Sequence, residues 1–403
     1  MTGSASAWVS RTLSPSNVLA LAVAGLVALA IVVLPATWSL LLLAGCAVVL
    51  ATLAEPRLGI LLLIPAVPFG SLWQMQVGVI NVGPAELLIV LIAAAWAMRM
   101  VVARDVRWRW PPLSLPLAAF VGVLLVSSLS ATSLQHSAKE LLKWLEVLIL
   151  YVFVANEFDG RWARALIAVV MGTGALAALH GIYQFMFQVG PEGFVLFDRF
   201  MRAYGTFEQP NPYGGYLGLT LPLAVGMVVG VLRSVAGGVK GRWLLLAGGA
   251  GLLMLAALAM SWSRGAWLGF AAAIAAMVTA VVARSGRAAG LILILVILVA
   301  YVVLAAGIGL PPAVAQRLSD FLPYVSLPDV RGAEVTDANF AVLERMAHWQ
   351  SAFGMWTDHV WFGVGAGNYE ANYAQYALPQ WPLALGHAHN YYLNVMAEAG
   401  LVG

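Results

Sequence analysis

Charge is scarce in this chain of 403 residues: 21 Lys and Arg stand against 18 Asp and Glu, ten per cent of the total, for a formal net charge of +3. So small a positive balance gives no support to nucleic-acid binding, and the basic residues matter through their placement. Cysteine is almost absent. Cys46 stands alone inside an apolar run, which excludes an intrachain disulfide and leaves the compartment unread. The polar segments hold no Asp-x-Asp pair, no His-Glu-x-x-His and no clustered carboxylates of the kind that hold a divalent cation. Nucleotide-sugar chemistry is therefore disfavoured, and no metal or other cofactor is expected. No internal repeat, heptad array or low-complexity linker is present. The first long apolar run lacks a convincing cleavage site and reads as a membrane span, not a signal peptide.

What the chain has in excess is hydrocarbon. Apolar residues make up 62% and the mean hydropathy is +0.89, more than a water-soluble domain can hide. In lipid the backbone must satisfy its own hydrogen bonds, leaving helices or closed barrels, and these apolar runs are continuous, not alternating. The expected fold is an all-α, polytopic transmembrane helical bundle of about 12 spans, at roughly 20 residues each. Spans are read at 16–35, 37–53, 57–69, 84–103, 112–131, 138–155, 163–186, 211–232, 243–260, 266–283 and 289–308, with a last one beginning near 389. Arg11, Arg57, Arg104, Arg107, Arg109, Arg161, Arg164, Arg233, Lys240, Arg242, Arg284 and Arg287 all fall on one side if the N-terminus is cytoplasmic, as the positive-inside rule requires.

That topology puts the 187–210 segment, the Ser261–Arg264 turn and a long stretch from 309 to 388 on the outer face. The long stretch opens at Pro311-Pro312, passes a polar run around Asp329–Asp337, and shows helical periodicity from Phe340 to Trp356. Leu343, Met346, Phe353 and Trp356 form the expected apolar stripe of a lid helix over the outer mouth. Gly363-Val364-Gly365-Ala366-Gly367-Asn368 follows, a run that lets backbone turn tightly or approach a ligand. Two regions are expected: 1–200, N-terminal transmembrane helices, and 201–403, which includes the large outer loop and its helices. The pattern is still helical at Gly403, so the natural chain is expected to continue.

Three outer-side clusters could carry chemistry. The first runs from Met201 and Arg202 through Gly205-Thr206-Phe207 to Pro210-Asn211-Pro212. The second is Ser261-Trp262-Ser263-Arg264-Gly265-Ala266, a turn so short that Arg264 lies at the membrane boundary, where an unpaired charge is expensive. The third is Gly386-His387-Ala388-His389-Asn390-Tyr391-Tyr392, where a histidine at a helix start is placed for proton transfer. Two arginines and a histidine suit a pyrophosphate-linked glycan donor. Arginine grips phosphate oxygens bidentately and keeps its proton near lipid, and imidazole can take the proton of an incoming hydroxyl.

Each of these residues also has a plainer reading. A boundary arginine is most often a snorkelling anchor, and a histidine at a helix start is more often a cap than a catalyst. Arg345 on the lid helix is read as a third phosphate contact or as a solvated face charge. His348 and His359 are read as ordinary surface or interfacial residues. Lys139, Lys143 and Glu146 recur at helical spacing and either pair among themselves or line a substrate cavity. Trp349 and Trp356 are candidates to stack on sugar rings.

At these residues the chain resembles the O-antigen ligase and O-antigen polymerase superfamily of bacterial envelope glycan enzymes. The resemblance runs from about Arg202 to the C-terminus and rests on the order of its elements: the Arg202-to-Asn211 segment, Ser263-Arg264-Gly265, Arg345 before the tryptophan-bearing helix, the 363–368 glycine run, and His389-Asn390 followed by Gly400. It implies an inverting, metal-independent transfer from undecaprenyl-pyrophosphate-linked glycan to a lipid or glycan acceptor. The protein would be a multi-pass protein of the bacterial inner membrane, its site facing the periplasm. Carried over by motif, His389 is the general base, and Arg264 and Arg202 hold the pyrophosphate. Asn211, Arg345, Asn390 and His387 are the expected substrate contacts. The family pattern has one more small or aromatic residue just past Gly403.

Within that superfamily the reading leans to the ligase type. O-antigen polymerase and protein O-oligosaccharyltransferase are the alternatives, because loop shape chooses the acceptor. A flippase for the same lipid-linked glycan is the rival from another class, but it would carry charge through several spans and comparable mouths on both sides. A structural scaffold is a third possibility; it predicts that the arginines and His389 are dispensable.

Overall fold

The computed structural model describes residues 33–78, 80–104, 109–233, 239–282, 329–336 and 339–403. It divides into two compact units, residues 1–62 with 88–106 and residues 63–87 with 107–403. The expected span at 289–308, nearly all of that at 16–35, Arg11, Arg107, Arg284, Arg287 and the Pro311-Pro312 opening lie outside the described residues.

The described elements are overwhelmingly helical. In chain order they are α1 (Ala36–Ala54), α2 (Pro56–Gly70), β1 (Met75–Val77), β2 (Ile80–Val82), α3 (Pro84–Ala103), α4 (Ser114–Ser127), α5 (Leu134–Glu157), α6 (Gly160–Phe187), β3 (Val195–Leu196), β4 (Phe200–Met201), α7 (Pro210–Arg233), α8 (Val239–Met260), α9 (Arg264–Val282), α10 (Phe340–Asp358), α11 (Tyr369–Tyr376) and α12 (Tyr391–Ala399). Among the described residues, six helices are long and apolar enough to cross a membrane: Ala36–Ala54, Pro56–Trp73, Pro84–Ala103, Gly160–Phe187, Pro210–Leu232 and Gly241–Met260. Three other expected spans also appear as helices. α4 and α9 are shorter apolar helices, and α5 carries Lys139, Glu140, Lys143 and Glu146 along its length.

In the first unit a glycine sets the packing of α1, α2 and α3. A Cβ on Gly59 would meet the Ile92 side chain at 2.6 Å and that of Thr52 at 2.8 Å, and both of those residues are fully buried. The hydroxyl of Thr52 donates back to the Val48 carbonyl at 2.8 Å, so its burial strands no polar group.

Two of the packing centres in the second unit position the site. One is formed by α6, α7 and α8 around Tyr213, Leu217, Leu221, Met254 and Leu258. Gly181 leaves room for the Tyr213 ring, whose hydroxyl donates to the Ala177 carbonyl at 3.0 Å. The other gathers α10, α11 and α12 around Met355, Val364, Tyr369, Tyr373 and Ala397. Two antiparallel hairpins complete the unit. β1 pairs with β2 in the register Met75 to Val82, and β3 with β4 in the register Val195 to Met201.

Two sequence expectations change here. The final helix, expected to begin a span near 389, is nine residues long, Tyr391–Ala399, and closes at Gly400 with φ +68. The backbone then pairs with the 360–361 segment, Leu401 N–H donating to the Val360 carbonyl at 2.9 Å. The lid helix does form over the expected residues, but its buried face is Leu343, Ala347, His348, Ser351, Ala352 and Met355. Phe353, expected on that face, is exposed. Leu343 of the expected stripe is on that face and Met346 and Trp356 are half-buried, while the small side chains at 347, 351 and 352 admit close helix packing and extend the buried face away from Phe353.

Candidate active site

The main cavity of the second unit has a volume of about 1070 Å³. One wall is α5, with His136, Lys139, Glu140, Lys143 and Trp144. A second part of the lining, Asn211 to Pro222 of α7 and Arg264 to Ala273 of α9, is largely apolar. Arg345, His387, His389 and Asn390 also line it. Six of the seven expected site residues thus line one space: His389, Arg264, Asn211, Arg345, Asn390 and His387. Arg202, the seventh, reaches it through Asn211.

Arg202 follows β4, where its own N–H donates to the Phe194 carbonyl at 3.0 Å and that of Ala203 to the Met260 carbonyl at 2.9 Å. Its guanidinium donates from Nε to the Ser261 carbonyl and from Nη2 to Asn211 Oδ1, both at 2.9 Å. Burial depresses the Arg202 pKa to about 10, with Arg345 and then Arg264 adding like-charge repulsion. Three guanidinium groups are therefore close enough to repel one another, with Glu344 beside Arg345 as a counter-charge. Buried Gln184, which the sequence reading passed over, shapes this segment. It accepts from the Tyr204 and Gly205 N–H groups at 3.1 and 2.7 Å and donates to the Gly205 carbonyl at 2.8 Å. Gly205 turns at φ +60 with the Tyr213 ring where a Cβ would stand.

Arg264 is the first residue of α9, and the Ser263 carbonyl accepts from Trp267 N–H at 3.0 Å to open the helix. The start of a helix carries the positive end of its dipole, the least favourable place for a cation and a favourable one for an anion. Guanidinium and helix terminus together present positive potential to the cavity. The preceding turn is held by Ser261, whose hydroxyl donates to the Leu258 carbonyl at 2.7 Å, and by Trp262 in a left-handed conformation, φ 52.

His389 is not the cap of its helix. Asn390 is: its Oδ1 accepts from the N–H groups of Tyr392 and Leu393 at 3.0 and 3.3 Å. One residue before the histidine, buried Ala388 donates its N–H to Asn394 Oδ1 at 3.0 Å. Anchored on both sides, His389 adopts φ 53, and its own N–H donates to His387 Nδ1 at 3.2 Å. Its Nε2 is buried without a hydrogen-bond partner, an unpaired state that costs about 1–3 kcal/mol. Burial, followed by the nearby His387, His348 and Arg345, lowers the His389 pKa to about 4. The ring is neutral at ordinary pH, the form that accepts a proton.

Asn211 and Asn390 line the cavity, each with its Oδ1 engaged, one by Arg202 and the other by the helix cap. Other expectations are corrected by the geometry. His348, expected at the surface, is buried and stands edge-on to His389, whereas His359 is exposed. Lys143 pairs with Glu140 at 2.6 Å, not with Glu146, while Lys139 and Lys143 line the cavity, as the other reading of this group expected. Trp349 and Trp356 do not line the cavity, but Trp144 does, its Nε1 donating to Glu140 at 2.9 Å. The glycine run mostly approaches the chain's own backbone. A Cβ on Gly363 would overlap Ala397 and Glu398, and one on Gly365 would press on Ala131. Only Gly367 of the three borders the cavity.

Sequence reasoning also missed Glu398. It is buried in the last turn of α12 and accepts from Gly367 N–H at 3.0 Å and Tyr369 N–H at 3.2 Å. Desolvation outweighs those donors and pushes its pKa up to about 7. Among the described residues no group of three His, Cys, Asp or Glu stands so as to hold a metal ion.

Six long apolar helices, and a cavity lined by Arg264, Arg345 and His389, are features of a polytopic membrane protein with ionisable groups gathered in one pocket. Residues 249–403 match the family described as O-antigen ligase, which supports a membrane glycosyltransferase of the O-antigen ligase and polymerase superfamily. The matched stretch holds Arg264, Arg345 and His389, and Arg202 lies upstream of it. No curated protein matches the chain.

Proposed function

We propose that this protein transfers a glycan from a polyprenyl-pyrophosphate carrier to an acceptor hydroxyl, in the manner of an O-antigen ligase, on the periplasmic side of a bacterial inner membrane. The observation that carries the reading is the placement of Arg264, Arg345 and His389 on one cavity whose α7 and α9 wall is apolar. A lipid-linked diphosphate needs both surfaces. Gly218, Leu219, Pro222, Phe270 and Ala273 offer hydrocarbon to the polyprenyl chain, and the arginines meet the diphosphate where that wall ends.

In the proposed reaction the acceptor oxygen attacks the anomeric carbon of the glycan as the bond from that carbon to the phosphate oxygen breaks. A single displacement inverts the anomeric configuration. The proton of the acceptor hydroxyl passes to the neutral imidazole of His389, and the electron pair leaves with the polyprenyl pyrophosphate. Negative charge grows on that leaving group, and Arg264, Arg345 and Arg202 are already grouped to receive it. Such electrostatic stabilisation supplies the largest share of the rate, with the base adding on the order of 10² to 10⁴. No step calls for a metal.

The test is transfer by the purified full-length protein from undecaprenyl-pyrophosphate glycan to glycolipid, saccharide and protein acceptors, with and without EDTA. Transfer that survives EDTA and is lost in His389→Ala supports the reading, and the acceptor used separates ligase, polymerase and protein glycosyltransferase. Full activity of His389→Ala would remove that residue as the base. Movement of donor across the bilayer without transfer to any acceptor would point to a flippase.

A further inference from the structure

On the reactive loop His387 stands edge-on to His389 with centroids 4.4 Å apart, and a further imidazole is built against His389 from a different element. His348, on α10, is 1% exposed. Its Nδ1 is 2.9 Å from the hydroxyl of Tyr369, which itself donates to the His348 carbonyl at 3.1 Å. That hydroxyl has one hydrogen, so its oxygen accepts from His348 Nδ1–H, and the tautomer is set. The ring stacks on Tyr373 with centroids 4.6 Å apart and planes 22° from parallel. Its other neighbour is His389, at 5.3 Å and 83°. Tyr369 is held in turn through its backbone N–H by Glu398, and Tyr373 donates from its hydroxyl to the Trp381 carbonyl at 2.9 Å.

We propose that His348 is a positioning residue for His389: two anchored tyrosines fix its ring, and the fixed ring forms the wall that sets the orientation of the His389 imidazole. The inference rests on His389 being the base. Loop anchors at Ala388 and Asn390 place the His389 backbone, but they leave the side-chain torsions open. A flat wall standing perpendicular to the imidazole restricts those torsions, and a misplacement of about 1 Å in a reacting group can cost on the order of 100-fold in rate. His348 itself is held neutral by burial, with His387 adding to the effect, and its pKa falls to about 4. The wall thus adds no charge beside the base near neutral pH. The charged and titratable groups that act on His389 are His387 on its own loop and His348 and Arg345 on α10; Glu370 on α11 and Glu398 on α12 line the same cavity.

The test uses the full-length protein and follows His389 itself. Acylation of His389 by diethylpyrocarbonate, located by mass spectrometry, is measured from pH 4 to 8 in wild type, His348→Ala, His348→Phe and Tyr369→Phe, beside kcat and donor KM. In His348→Ala the midpoint of the His389 profile is expected to rise from about 4 towards the ordinary imidazole value of about 6.5. In the same variant kcat is expected to fall about 10- to 100-fold with KM little changed. His348→Phe restores the flat wall and is expected to recover much of both quantities; Tyr369→Phe, which frees the His348 ring, is expected to fall between. An unchanged His389 profile in His348→Ala overturns the proposal. If that variant does not fold, a His348→Phe protein as impaired as Tyr369→Phe overturns it equally. Because acylation is read without turnover, a wild-type profile that responds to His348 while His389→Ala still transfers glycan would discard the base reading alone.

Discussion

Arg202 and Asn211 are joined by a hydrogen bond of 2.9 Å from Nη2 to Oδ1, while Nε of the same guanidinium donates to the Ser261 carbonyl. One side chain therefore ties the segment after β4 to the first turn of α7 and to the turn before α9. Lysine has a single ammonium and cannot span both acceptors in the guanidinium's planar fork. Arg202→Lys is expected to lower transfer on the order of 10-fold or more and to reduce stability by about 1–3 kcal/mol. Asn211→Ala should lose stability by less, since Arg202 keeps Ser261. Thermal unfolding in detergent alongside the transfer assay separates the two effects, and equal activity in Arg202→Lys would show that the planar fork is not needed at this position.

The pH dependence of transfer follows from the neutral state of His389. With its pKa lowered to about 4, the base stays competent well below the ordinary imidazole range. Transfer is expected to hold its rate as pH falls from 8 through 6.5 and to decline only as about 4 is approached. Stability moves in the same direction. His348 and His389 both have depressed folded-state pKa values, so their contribution is complete above the unfolded value of about 6.5 and is lost as pH falls towards 4. A transfer profile with its acidic limb near 6.5 would show that the imidazole is not desolvated in the working enzyme.

Glu398 works with the opposite sign. Its folded pKa is raised from 4.5 to about 7, so the folded protein holds this proton more tightly than the unfolded chain. The contribution is complete below 4.5 and is lost as pH rises through about 7. Glu398→Gln is expected to be free of this loss: the difference in melting temperature between variant and wild type should move in favour of the variant between pH 5 and 8. A difference that stays flat across that range would mean that the carboxylate remains ionised in its pocket.

Two glycines of the site region should respond oppositely to alanine. Gly363, at φ +66, has the backbone of Ala397 and Glu398 where a Cβ would go. Gly363→Ala is therefore expected to unseat α12 and its histidine loop, with a left-handed backbone penalty of about 1–2 kcal/mol before the overlap is counted. Gly265, in the first turn of α9, has open space at its Cβ position and borders the cavity. Gly265→Ala should be neutral or stabilising by up to about 1 kcal/mol, whereas Gly265→Phe should keep the fold and block donor entry. Limited proteolysis and transfer kinetics check both, and a stable, active Gly363→Ala protein would contradict the docking geometry.

Much of the helix pattern was legible because lipid imposes a severe filter: apolar runs of span length have few alternatives. The ends of α3, α6, α7 and α8 fall within a few residues of where composition puts them. His389, Arg264 and Arg202 were also legible, as polar residues at the ends of apolar runs. His348, Gln184 and Glu398 were not. Each is a polar residue buried by a partner distant in sequence, and nothing local distinguishes His348 from the exposed His359 eleven residues later. The apolar stripe of α10 was misassigned only at Phe353, which is exposed, since part of the buried face is made by small residues that carry little hydrophobic signal.

The sequence by itself determined the solvent of this chain and its helical class, because hydrophobicity and backbone hydrogen bonding are local, additive properties that need no knowledge of neighbours. It also determined which ionisable residues stand at the ends of helices. Only the tertiary structure decided that Arg202, Arg264 and Arg345 converge, that Asn390 rather than His389 caps α12, and that His348 stands against His389. Convergence and burial depend on which elements pack together, and through them on dielectric and on distances between residues far apart in the chain.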